Sequence, residues 1–140
     1  MAELSTTRPT VTAVLASPEA CERVRAIRGA CSIADTEVAV VGETSITALR
    51  QAVERIDPDA VVRDVSDGWV AHTISGEGAR EAFARLSELE LPAAGFVQGA
   101  VARVGVRVLV DGDRVDLLVP SMLAAHVRDR IEDECRELLP

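Results

Sequence analysis

A chain of 140 residues, 48% of them apolar, has the length of one domain and could bury about two-thirds of its unfolded surface. Its formal net charge of −8 argues against a nucleic-acid partner, which needs a basic surface to release counterions. All the basic residues are arginine, which excludes Schiff-base chemistry, a P-loop lysine and a lysine general base.

Trp69, Phe83 and Phe96 are the whole aromatic supply, too little for base stacking or a cation cage. Cys21, Cys31 and Cys135 form an odd set without C-x-x-C spacing, which predicts neither a zinc site nor a disulfide framework. The opening MAELSTTRPT has no apolar run, and no segment approaches the roughly 18 apolar residues of a membrane span. A soluble, reduced, cytoplasmic protein is expected.

Residues 1–9 are polar and read as a flexible N-terminus. Val11, Ala13 and Leu15 alternate as in a strand. Ser17, Pro18 and Glu19 supply an N-cap, a first-turn proline and an acidic residue at the positive helix end. Ala20, Val24 and Ile27 follow at helical spacing, with Gly29 as the stop. Glu37–Val41 is a short strand. Thr44 or Ser45 then caps a helix whose stripe is Ile46, Leu49, Val53 and Ile56. Asp57-Pro58-Asp59 ends it.

Ala60–Val65 and Trp69–Ile74 read as strands around a turn at Ser66-Asp67-Gly68. A helix begins near Gly76-Glu77 and buries Ala79, Ala82, Phe83 and Leu86. Ala100–Val110 reads as one long strand, Asp111-Gly112 as a hairpin turn, and Arg114–Val119 as the return. Ser121 is expected to cap a last helix with Leu123, Val127, Ile131, Cys135 and Leu138 on one face. From Glu37 on, the order is β-α-β followed by β-α-β-β-α. It predicts an α+β fold: one domain over residues 10–140, built of ferredoxin-like halves, with a mixed sheet and helices on one face.

Candidate sites are few. Asp64, Ser66 and Asp67 surround a turn; two carboxylates at that spacing could bind a metal or share a proton, but a structural turn, capped before Gly68, is the favoured reading. Arg103 and Arg107 are expected on one strand face across Gly105. There they could clamp a carboxylate, although solvent or a cross-strand pair with Asp116 is favoured. His72 shares a strand face with Val70 and Ile74 and reads as a buried, hydrogen-bonded group. His126 has no partner at i+4, and no Ser-His-Asp or Cys-His arrangement follows from these two. Gly76-Glu77-Gly78 lacks the third glycine of a dinucleotide-binding turn and reads as a capping loop.

Five fragments occur in an order that resembles the gamma subunit family of heterotetrameric sarcosine oxidase. They are Asp35-Thr36-Glu37-Val38 with Val41-Gly42, then Asp64-Val65-Ser66-Asp67-Gly68, then Ser75-Gly76 with Ala79-Arg80. Phe96, Gly99 and Ala102-Arg103 follow, and Leu118-Val119-Pro120-Ser121 completes the set. The chain departs from the family at Leu86–Pro92, which has no Gly-Cys. It departs again in the last helix, where Val127, Arg128 and Ile131 stand in place of tryptophans.

The resemblance implies a fold like that of the glycine cleavage T protein and a non-catalytic assembly role. It places FAD, FMN, NAD and tetrahydrofolate on larger alpha- and beta-type flavoprotein subunits, with no cofactor on this chain. The assembly role predicts an obligate partner and a large apolar face left exposed in the isolated chain. A stand-alone folate- or amino-acid-binding module of the T-protein type is the alternative, and it needs a concave pocket holding Arg103 or the Asp64–Asp67 turn.

Overall fold

The computed structural model describes residues 1–140, with nine strands and four helices. Contacts divide the chain into two compact units, Pro9–Ser66 and the combination of Met1–Arg8 with Asp67–Pro140. The sequence, which has no linker, reads as one domain from residue 10 on. The chain crosses between the units at Arg8-Pro9 and at the 3-10 turn Ser66–Gly68.

In the unit Pro9–Ser66, β2 (Val11–Leu15), α1 (Pro18–Arg25), β3 (Ala30–Ala34), β4 (Glu37–Val41), α2 (Ile46–Glu54) and β5 (Val61–Asp64) follow in turn; β1 belongs to the other unit. The sheet order is β3-β4-β2-β5, the ferredoxin-like arrangement of a βαββαβ chain. Ser17 caps α1 by accepting from Ala20 N–H at 3.3 Å, and Ser45 caps α2 through Ala48 N–H at 3.2 Å. Both helices bury their apolar stripes, with Val14, Val24, Val38, Val40, Leu49, Val53 and Val62 in one core. Val14 is the β2 residue in this core, whereas Leu15, expected on the apolar face, is 47% exposed.

The other unit repeats the plan in permuted form. It comprises β1 (Ala2–Thr7), β6 (Trp69–Gly76), α3 (Ala79–Leu86), β7 (Ala94–Val101), β8 (Val104–Asp111), β9 (Arg114–Pro120) and α4 (Ala124–Glu134). The sheet order is β1-β6-β9-β8-β7, so the first strand of the chain fills the place that a strand after α4 would take. β7 is an addition at the far edge. Alternate residues Val104, Val106, Val108 and Val110 of β8 and Val115, Leu117 and Val119 of β9 join Phe83, Val127 and Ile131 in the core. Both helices pack on that face.

Five expectations are corrected. Residues 1–9 are not a flexible end: Ala2–Thr7 pairs with β6, and Ala2 is fully buried. Strand pairing uses backbone groups, which polar sequence does not remove. The sheets are not mixed, since every neighbouring pair is antiparallel. In the unit Pro9–Ser66 the strands joined by a helix do run the same way, but another strand lies between them, β4 between β2 and β3, and β2 between β4 and β5. In the other unit α3 leads from β6 to β7, which runs the opposite way at the far edge. The expected long strand 100–110 is the end of one strand and most of the next, with a turn at Ala102-Arg103. Ser121 does not cap α4; it sits in a short 3-10 turn and donates to the Asp67 carbonyl at 2.7 Å. Leu123, expected in the apolar stripe, is exposed.

Candidate functional site

The turn after β5 shows how its side chains are used. Asp64 Oδ1 accepts from Ser66 N–H at 2.9 Å and from Ser66 Oγ at 2.5 Å. Ser66 Oγ accepts in turn from Val11 N–H at 2.8 Å, and Val65 N–H donates to the Val11 carbonyl. The Ser66 hydroxyl and then its backbone N–H hold the Asp64 carboxyl below the ordinary value. These bonds stitch the end of β5 to the start of β2. No group of three or more His, Cys, Asp or Glu side chains is arranged to hold a metal ion. Asp67 belongs to the other unit and contributes its carbonyl to Ser121.

Arg103 and Arg107 are separated by the hairpin. Arg103 lies in a two-residue turn with Ala102, both at positive φ (67° and 50°), and its side chain is not on the strand face. Arg107 lies opposite Leu118 of β9 and reaches diagonally across that strand. Its guanidinium carbon stands 4.3 Å from the centroid of the Trp69 ring on β6. Asp116, considered above as a partner, instead accepts from Thr73 Oγ1 at 2.6 Å and pairs with Arg114 at 3.2 Å.

Beside this stack is a hollow of about 330 Å³ lined by Trp69, Gln98, Gly99, Gly105, Val106 and Arg107. A Cβ on Gly105 would meet open space, so the glycine leaves the hollow clear. Its lining presents a guanidinium, a carboxamide and an indole face. None of these side chains ordinarily titrates near neutral pH, so the hollow offers binding rather than proton transfer. Sequence reading identified Arg107 but missed Trp69 and Gln98 as its neighbours. Alternation places Trp69 on the face opposite His72; the missing step is the strand order β6-β9-β8.

His72 is buried on the helix-facing side of β6. Its Nδ1 lies 2.9 Å from Thr6 Oγ1 and its Nε2 lies 2.8 Å from the Ala124 carbonyl. Arg128 Nη1 also donates to Thr6 Oγ1. Burial pushes the His72 pKa down, with the Ala124 bond opposing. His126 is exposed on α4. Burial raises the thiols of Cys21 and Cys135, and Cys135 donates to the Ala82 carbonyl at 3.4 Å. Gly78 is the N-cap of α3, and the preceding loop approaches Met1 closely: a Cβ at Gly76 would stand 2.8 Å from the Met1 carbonyl. No helix is long and apolar enough to cross a membrane.

No family model matches the chain, and no curated protein matches it. Among solved structures, the chain resembles one from the heterotetrameric sarcosine oxidase of Corynebacterium sp. U-96 in complex with pyrrole 2-carboxylate. The TM-score is 0.81 at 14% identity, over 97% of this chain and 84% of that one. It also resembles the regulatory subunit of aspartate kinase from Thermus thermophilus in its ligand-free form. There the TM-score is 0.51 at 13% identity, over 94% and 95% of the two chains. At these identities the likeness is one of fold.

Proposed function

We propose that the chain is a non-catalytic accessory subunit of a sarcosine-oxidase-like flavoenzyme complex that oxidatively demethylates N-methyl amino acids. The carrying observation is the fold likeness, across 97% of the chain, to a chain of a heterotetrameric oxidase. The five ordered sequence fragments support the same reading. In it, larger alpha- and beta-type subunits carry FAD, FMN, NAD and tetrahydrofolate, and this chain helps assemble them. Its exposed large apolar side chains include Leu15 and Val61, paired on the neighbouring strands β2 and β5, and Met122 beside Leu123. These are small patches rather than the large apolar face that this reading predicts, which counts against it.

Tagged purification from the native host, followed by native mass spectrometry and a visible spectrum, tests the proposal. A yellow complex with larger flavin-bearing chains is expected. A colourless lone chain, under conditions that preserve other complexes, would remove the reading.

The hollow beside Trp69 and Arg107 favours the second reading, a binding module for folate or an amino acid. Calorimetry with tetrahydrofolate and with N-methylated amino acids decides it. Saturable heat that disappears in Arg107→Ala supports this module, and no heat at millimolar ligand rejects it.

A further inference from the structure

A groove of about 640 Å³ runs between β1 and α4, lined by Glu3, Leu4, Arg128, Glu132, Asp133, Arg136, Leu139 and Pro140. β1 is an edge strand, with β6 on one side and no strand on the other. Ala2 N–H does not point into the sheet; it donates to the Leu138 carbonyl at 2.8 Å. Backbone direction alternates along an antiparallel strand, so Leu4 and Thr6 also turn their N–H and C=O groups toward the groove. β6 agrees: Gly76 N–H is directed to Asp113, on the side away from β1, so its odd-numbered residues are the ones that bond β1.

One outward backbone position is therefore already filled by an approaching main-chain carbonyl, and the next positions face a groove with an apolar floor at Leu4 and Leu139. The edge carries no proline and no inward-pointing charge, two of the usual devices that block strand addition. The walls favour positive charge. Three acids, Glu3, Glu132 and Asp133, stand against Arg128 and Arg136; the pairs Arg128–Glu132 at 3.0 Å and Arg136–Asp133 at 3.3 Å balance each other, and Glu3 on β1 is the charge left over.

We propose that this groove accepts an extended, basic segment of a partner subunit as a sixth strand on β1. Main-chain hydrogen bonds to Leu4 and Thr6 provide the attachment. Alternate side chains divide between the apolar floor and the acidic wall. The proposal deepens the reading of the chain as a subunit and rests on it, but the two fail separately: copurification tests membership of a complex, and the groove is tested on the isolated full chain.

The probe is a peptide of alternating valine and arginine, about eight residues long to exceed the strand it pairs with. Amide exchange of the labelled chain is followed by NMR during titration. Slowed exchange at Leu4 and Thr6 on saturable binding is expected. Glu3→Arg combined with Asp133→Arg, both at the surface, should weaken the arginine peptide about tenfold and favour a valine–glutamate peptide instead. Binding that leaves the Leu4 and Thr6 amides unprotected, or no binding at millimolar peptide, overturns the proposal. Protection of those amides that rises with protein concentration alone also overturns it, in favour of a second copy of the chain.

Discussion

A carbonyl oxygen 2.8 Å from Nε2 of His72 requires that nitrogen to carry a proton, and burial favours the neutral ring, in which Nδ1 accepts from Thr6. Arg128 opposes a second proton and Glu132 favours one, but burial dominates and the folded pKa lies below the ordinary 6.5. The unfolded chain then takes up a proton before the folded one does. Stability from this group is complete above about pH 6.5 and is lost as the pH falls through the folded value. The urea midpoint is therefore expected to drop between about pH 7.5 and about pH 5.5, and to drop less in His72→Gln. Equal drops in both chains would place the acid sensitivity elsewhere.

Asp64 makes a contrasting prediction at the same scale. Its carboxylate serves backbone and hydroxyl donors, so Asp64→Ala should lower the thermal midpoint, while calcium or a chelator should leave the parent chain unchanged. A calcium-dependent rise in the parent midpoint would instead restore the metal reading. Trp69 is the single tryptophan, so Arg107→Ala should shift its emission to the red as the ring loses its cover. Loss of the cation–ring contact alone costs about 0.5–2 kcal/mol. Unchanged emission would mean that the stack does not persist in solution.

At the scale of elements, the hairpin between β7 and β8 carries the clearest local conflict. Its two turn residues, Ala102 and Arg103, both have positive φ, a region that costs residues other than glycine about 1–2 kcal/mol each. Replacing them with Asn-Gly, the pair this turn prefers, should raise the thermal midpoint and leave the circular dichroism unchanged. A lower midpoint would show that the alanine and arginine side chains make contacts worth more than the strain.

The same hairpin shows why sequence reading merged two strands. Turn signals rest on Gly, Asn, Asp and Pro, and Val-Ala-Arg-Val offers none. The Asp111-Gly112 hairpin was legible because Gly112 takes positive φ itself. Helices α1 and α2 were legible from Ser17 and Ser45, whose hydroxyls do form the caps. β3 was missed because Ala30–Ala34, an edge strand with alternating exposure, has almost no large apolar residues. Of the candidate site, Asp64, Ser66 and Arg107 could be picked out locally. The ring over which Arg107 lies could not, because it depends on strands being neighbours that are far apart in sequence.

For the whole molecule, the two separate cores predict two blocks of protection in native-state hydrogen exchange. Val14, Val38, Val40 and Val53 should form one block, and Ile74, Val108, Leu117 and Ile131 the other. Leu117→Ala removes a fully buried side chain and should cost its own block about 2–5 kcal/mol. Amides of the Pro9–Ser66 unit should respond less. An equal loss of protection in both blocks would show that the units unfold as one.

The place of β1 in its sheet has a consequence for synthesis. Ala2–Thr7 is synthesised well before its partner strand, which begins at Trp69, and before Leu138, whose carbonyl Ala2 engages. The Pro9–Ser66 unit, contiguous in sequence, has all its strands and helices before β6 has even been made. During translation the first strand therefore waits as an unpaired ribbon tethered to a segment able to fold ahead of it. Closing that long loop is an entropic step that late folding must complete. Slowing elongation should lengthen this wait and, with it, the time in which a stray strand can capture β1.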